Sequence, residues 1–130
     1  MKTDILNRPD LELFVIRFYD KVKNDPQIGF FFSEVVKVDW QKHIPVMVDF
    51  WENVLFFSGA YGGNPMEVHK SVNQKHAMTS EHFATWLKIF KETVDENFEG
   101  VHADNIKQRA TNISSVMQSK ILNKDHYLGA

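Results

Sequence analysis

Apolar residues recur at intervals of three and four along most of the chain, the spacing of one face of an α-helix. After Pro9-Asp10 the positions Leu11, Val15, Phe18 and Val22 follow this rule, with Phe14 and Tyr19 flanking them. The spacing predicts a helix that "NDPQIG" stops. Asn24-Asp25-Pro26 then opens a short turn, and Gly29 leads into "FFFSE". A second long helix is expected from about 39 to 57, with Val46, Met47, Phe50, Trp51, Val54 and Leu55 as its buried stripe. Pro45 lacks a backbone donor, so a kink or a stepped first turn is expected there. "SGAYGG" should end this helix. A short helix of two turns at most is expected over 65–72, with Asn64 as cap and Pro65 in first position. "NQKHAM" reads as a polar connector. Thr79 or Ser80 caps the next helix, whose stripe is Phe83, Trp86, Leu87, Phe90 and Val94. "EGVHAD" breaks it, and a last helix from 103 to about 122 turns Ile106, Ala110, Ile113, Met117 and Ile121 inward. Nothing alternates as strands do. The expected class is all-α, in a single domain over 1–130 with loose termini at 1–9 and 123–130.

Four polar groups interrupt these apolar faces. His69 shares a face with Met66 and Val72 on the short helix. His43 lies three and four residues before Val46 and Met47 and extends their stripe. Tyr19 adjoins Phe18. Trp86 carries an indole N–H that needs a partner if it is buried. Each alone is more often a satisfied core group than a ligand-binding one, since buried polar atoms generally find a partner.

Composition sharpens this picture. Eleven phenylalanines and three tryptophans are numerous for 130 residues, and they cluster as "FFF", "FW" and "FF". Such an excess fills a core of large side chains or lines a pocket for a flat, apolar ligand. The absence of cysteine excludes disulfides, thiolate metal sites and cysteine nucleophiles. A net charge of −2 without a basic run argues against nucleic acid. No segment has the length or purity of a membrane span, and "MKTDILNRPD" lacks the apolar core of a signal peptide, so a cytoplasmic location is expected. A non-haem metal site has no H-E-x-x-H or paired-carboxylate spacing behind it. His76, His82, His102 and His126 read as surface or loop residues.

An isolated histidine on a short helix beside aromatic stripes suits one ligand in particular. Haem is flat and apolar, and a neutral imidazole is its usual axial ligand in globins. The opposite axial position would give Tyr19, His43 and Trp86 a use as hydrogen-bond donors.

Three blocks of the chain carry a family resemblance over roughly residues 11 to 122. They are "RFYDKVKNDPQIGFFF", "HIPVMVDFWENVLFFSGAYGGNPMEVH" and "HFATWLKIFKETV". In this order and spacing the sequence resembles the group III truncated haemoglobins of bacteria. The resemblance implies a truncated globin fold, a two-over-two helical sandwich around haem b (iron protoporphyrin IX). It implies that His69 binds the iron, that Tyr19 and Trp86 hydrogen-bond a ligand on it, and that His43 acts there as donor or gate. Phe32 would pack on the haem. Met47, Phe50, Trp51, Met66, Phe83, Trp86, Leu87 and Phe90 would line the pocket, with Tyr61 and Lys70 on the propionate side. "KSVNQKHAM" is polar where relatives are often proline-rich and apolar.

The activity so implied is binding of dioxygen, nitric oxide, carbon monoxide or peroxide at a five-coordinate iron, with slow oxygen release and redox or detoxifying chemistry. The alternatives are a peroxidase or nitric oxide dioxygenase served by a reductase partner, and a haem-free helical binding or sensor domain. A monomer without nucleic-acid or membrane partners is expected.

Overall fold

Four helices start where a short polar side chain accepts an otherwise unpaired N–H group. In the computed structural model, which describes residues 2–59 and 63–122, Asn7 caps α1 (Arg8–Lys23) and Asp39 caps α2 (Trp40–Phe56). Asn64 caps α3 (Pro65–Lys75), and Thr79 caps α4 (Ser80–Asn97). The Thr79 cap is a reciprocal box. Its hydroxyl accepts from the His82 N–H, and the His82 ring accepts from the Thr79 N–H. The fifth helix, α5, spans Val101–Leu122. No strand occurs among the described residues, and the class is all-α.

Three elements differ from the sequence expectation. The phenylalanine triplet enters a π-helical turn, Phe31–Val35, closed by the Val36 N–H on the Phe31 carbonyl at 2.9 Å. Gly29 before it is obligatory, because an added Cβ would lie 2.7 Å from the Lys23 carbonyl oxygen. The helix α2 runs through Pro45 unbroken. Pro45 and Gln41 are both exposed, so water can serve the Gln41 carbonyl that loses its helical donor. The short helix is longer than two turns: α3 takes in Asn73, Gln74 and Lys75, and the "NQKHAM" connector shrinks accordingly. Asn73 stabilises this extension by accepting the Met78 N–H at 2.8 Å.

The helices pack as two layers. α1 lies on α2 and α4 on α5, while α1 meets α4 and α2 meets α5 across the layers. This is the two-over-two sandwich that the resemblance implies. α3 leans on α5 alone among the principal packings. The core is aromatic at its centre. Phe90 is fully buried and meets Phe14, Phe18 and Trp51 at ring distances of 4.9, 5.2 and 4.9 Å. Arg8 joins the first layer by reaching Asp49 at 2.8 Å and Glu52 at 3.1 Å, and Lys21 pairs with Glu96 between layers.

The N-terminus departs furthest from its expected looseness. Ile5 is fully buried, and Thr3 bridges to Phe98. Asp4 accepts the N–H groups of His102 and Ala103, both at 2.9 Å, and so caps α5 from the far end of the chain. His102 Nδ1 donates to the Ile5 carbonyl at 2.6 Å, so this histidine is a docking residue rather than a free surface one. Gly100 permits the approach. Its φ is +144°, and a Cβ there would lie 2.5 Å from the Asp4 carboxyl carbon. Residues 123–130, with His126, lie outside the described residues.

Partial burial pushes the Asp4 carboxyl up, but the N–H donors of His102, Ala103 and Ile5, with the His102 imidazole, together hold it below its ordinary value. A carboxyl depressed on folding adds stability above its unfolded pKa and loses it as pH falls through the folded value. Asp4→Ala should lower the unfolding free energy at pH 7 by about 1–2 kcal/mol. Urea unfolding should show the gap closing once the pH drops below the carboxylate range, and a gap independent of pH would refute this account.

Candidate functional site

One helix in this fold buries nothing completely. Met66, His69 and Val72 of α3 are all half-buried, although they form its apolar face. The reason is that α3 closes one side of a cavity of about 320 Å³, enclosed by parts of all five helices and the π turn. Phe31, Phe32, Met47, Phe50, Trp51 and Phe83 form much of its wall. Among the described residues, the wall's polar side chains are Tyr19, His43, His69, His82, Trp86 and Ser114. An enclosed aromatic cavity with a few polar groups suits a flat, largely apolar ligand.

The four polar groups singled out in the sequence therefore share one cavity, though they stand on α1, α2, α3 and α4. His69 Nδ1 lies 2.7 Å from the Pro65 carbonyl oxygen. A carbonyl can only accept, so Nδ1 carries the proton and Nε2 holds a free lone pair. Burial pushes the imidazole pKa down, only partly offset by that carbonyl, so the ring is neutral near pH 7. A neutral imidazole with its Nδ1–H tied to a carbonyl has the electronic form of a metal ligand.

Tyr19 stands among Phe18, Phe32, Trp40 and His43, with ring distances of 4.9 to 5.7 Å. Burial pushes its hydroxyl far above the ordinary phenol pKa, which keeps it a donor. None of the hydrogen bonds among the described residues uses that hydroxyl or the Trp86 indole N–H. The Trp86 ring is held by Phe18 at 5.6 Å and Phe90 at 5.2 Å. His43 differs. Its Nε2 is sealed from solvent with no hydrogen-bond partner, against the rings of Tyr19 and Trp40 at 5.2 and 5.5 Å. Burial, and secondarily the nearby His69, push its pKa down, so it too is neutral near pH 7.

A group 3 truncated haemoglobin of Campylobacter jejuni is 27% identical over 124 residues, spanning 93% of this chain and 95% of that protein. The crystal structure of a group III truncated haemoglobin from Campylobacter jejuni matches the fold with a TM-score of 0.82 at 28% identity, again over 93% and 95% of the two chains. No protein-family model matches the chain. In sequence and in fold the chain is similar to the group III truncated haemoglobins. That likeness supports a haem globin that takes small gaseous ligands. The residues present fit that group: an aromatic slot, and an imidazole already in ligand form on one wall.

The cavity wall takes in some of the expected residues and not others. Phe32, Met47, Phe50, Trp51, His69, Phe83 and Trp86 do line the cavity. Phe90 does not. It is fully buried among aromatic rings and belongs to the core. Leu87 packs against that same core, and Met66 against Phe83, Met117 and Ile121. Helical spacing gives the direction of a side chain and not its depth. Tyr61 lies outside the described residues, and Lys70 pairs with Glu67 away from the cavity wall. Val46, expected to be buried, is 44% exposed because it borders the opening.

The wall also holds residues that the sequence reading did not assign to it. Val36 and Val38 follow the π turn, and Ile113, Ser114 and Met117 come from α5. Their contribution depends on how α5 leans across α3, which no local pattern records. Phe90→Ala should lower the unfolding free energy of the haem-free globin by about 3–5 kcal/mol, as for a fully buried phenylalanine. Met47→Ala, at an open wall, should cost less than half as much in the same denaturation experiment. Equal losses would place Phe90 at the wall after all.

Proposed function

We propose that residues 1–130 form one globin domain that binds haem b in this cavity, where His69 Nε2 would hold the iron. The observation that supports this best is the His69 ring, whose proton is drawn to Nδ1 by the Pro65 carbonyl while Nε2 keeps its lone pair inside an aromatic cavity. When bound, haem supplies an iron that takes up diatomic ligands and exchanges electrons. Phe32, Phe50 and Trp51 give the flat walls that exclude water from it.

Tyr19 and Trp86 would act as hydrogen-bond donors to a small ligand such as dioxygen held in the cavity. Both are held rigidly by neighbouring rings, so little ordering is required of them when a polarised ligand arrives. Each such bond contributes about 1.5–3 kcal/mol. Two would slow release by roughly two to four orders of magnitude if fully expressed in the off-rate. Slow release serves carriage and storage poorly. It suits redox or detoxifying chemistry on oxygen, nitric oxide or peroxide. His43 serves as a gate on this reading. Its sealed Nε2 has no partner where it stands, at a cost of about 1–3 kcal/mol. A small ligand in the cavity could give that nitrogen a partner, so the ring has reason to turn towards one.

His69→Gly should remove the globin-type visible bands of the ferrous protein, and added imidazole should restore them. Unchanged bands in the variant would disprove the assignment. Trp86→Phe should raise the oxygen dissociation rate by about ten- to a hundred-fold in stopped flow, one lost bond's worth. His43→Leu should raise it less, and the reverse order would make His43 the principal donor.

A further inference from the structure

One polar side chain of the cavity wall has no part in the chemistry above. His82 stands in the first turn of α4, beside Phe31 at a ring distance of 4.9 Å and Phe30 at 6.0 Å. The backbone N–H of Thr79 donates to its Nδ1 at 3.0 Å. A ring nitrogen that accepts cannot carry the proton, so the neutral ring holds its proton on Nε2. His82 is thus a mirror image of His69. In His69 the backbone leaves Nε2 a lone pair, and in His82 it leaves Nε2 an N–H. Among the described residues that N–H has no acceptor.

Resting on the reading of the cavity as a haem site, we propose that His82 Nε2–H binds one haem propionate carboxylate. Among the described residues the rest of the wall excludes itself. A carboxylate needs donors on some sides and water on the others, since burying it unpaired is costly. The part-exposed rim residues Val36, Val46 and Val68 are apolar and offer no donor. Tyr19 is deeply buried among aromatic rings, and Trp86 is packed between Phe18 and Phe90. Ser114 is buried, too deep for a carboxylate that also needs water. His43 Nε2 is sealed off. Among the described residues, His82 alone combines a free N–H, a place on the wall and partial exposure to solvent. The capping box that fixes its ring therefore does two tasks, starting α4 and aiming a donor at the ligand's acidic edge.

The test pairs two variants with two cofactors. His82→Gln keeps both the cap and a side-chain N–H donor. His82→Glu keeps the cap, removes the donor and adds a like charge. Protohaem and its dimethyl ester, which has no carboxylate, are loaded into each protein, and haem loss to excess apomyoglobin is timed. In wild type and in His82→Gln, esterification should speed haem loss about ten-fold, one charge-assisted hydrogen bond's worth. In His82→Glu, protohaem should leave about ten-fold faster than from wild type, and esterification should bring no further acceleration. An esterification effect of equal size in wild type and His82→Glu would overturn the proposal. Visible spectra of each loaded protein separate the two readings. Failure of wild type to take up haem with imidazole ligation refutes the haem site itself, whereas normal ligation with equal esterification effects refutes only the role of His82.

Discussion

Phe90 sits where α1, α2 and α4 meet, and the rest of the molecule depends on the contacts it makes there. Its ring is edge-on or tilted to Phe14, Phe18, Trp51 and Trp86, all within about 5 Å. Such geometries add attraction beyond the burial of apolar area. A protein that keeps a large cavity needs a dense support on another side of it, because the cavity wall lacks contacts on one face. The Phe90 cluster is that support. Two of its members, Trp51 and Trp86, face both ways, packing on Phe90 and bordering the cavity.

The same division of labour explains why α3 is held lightly. It buries no residue fully and leans mainly on α5. Its own caps, Asn64 at one end and Asn73 accepting from Met78 at the other, stabilise it locally. Within it the Pro65 carbonyl orients His69 through a bond four residues long, the natural helical span. Proline at the first helical position therefore both starts the helix and places a carbonyl under the histidine ring. The orientation of the ligand-forming imidazole is a local property, and its opposite wall is a global one.

Several features were legible from single residues and their spacing. The caps at Asn64 and Thr79, the end of the second helix near Phe57 and the inward stripe of α5 all follow from local rules. The four polar groups also announced themselves, since a hydroxyl, an indole and two imidazoles on apolar faces need an explanation. Depth was not legible. Phe90 and Phe83 occupy the same helical stripe, yet one is core and the other borders the cavity. Asp4 looked like part of a loose end, because its partners His102 and Ala103 lie nearly the whole chain away. His82 looked like a surface histidine, because its fixed proton depends on a capping box and its value depends on a cavity wall.

The sequence by itself determined the helices, their caps and the kind of chemistry available, because these rest on interactions within four residues. It also carried the three spaced blocks by which the family could be recognised. Only the tertiary structure decided which side chains the cavity received. Neighbouring helices set how far each one tilts, and a tilt moves a side chain between core and wall without altering its helical face. The sealed nitrogen of His43, the open one of His69 and the free N–H of His82 belong to that second class. All three are the same residue type, and only their surroundings give them different work.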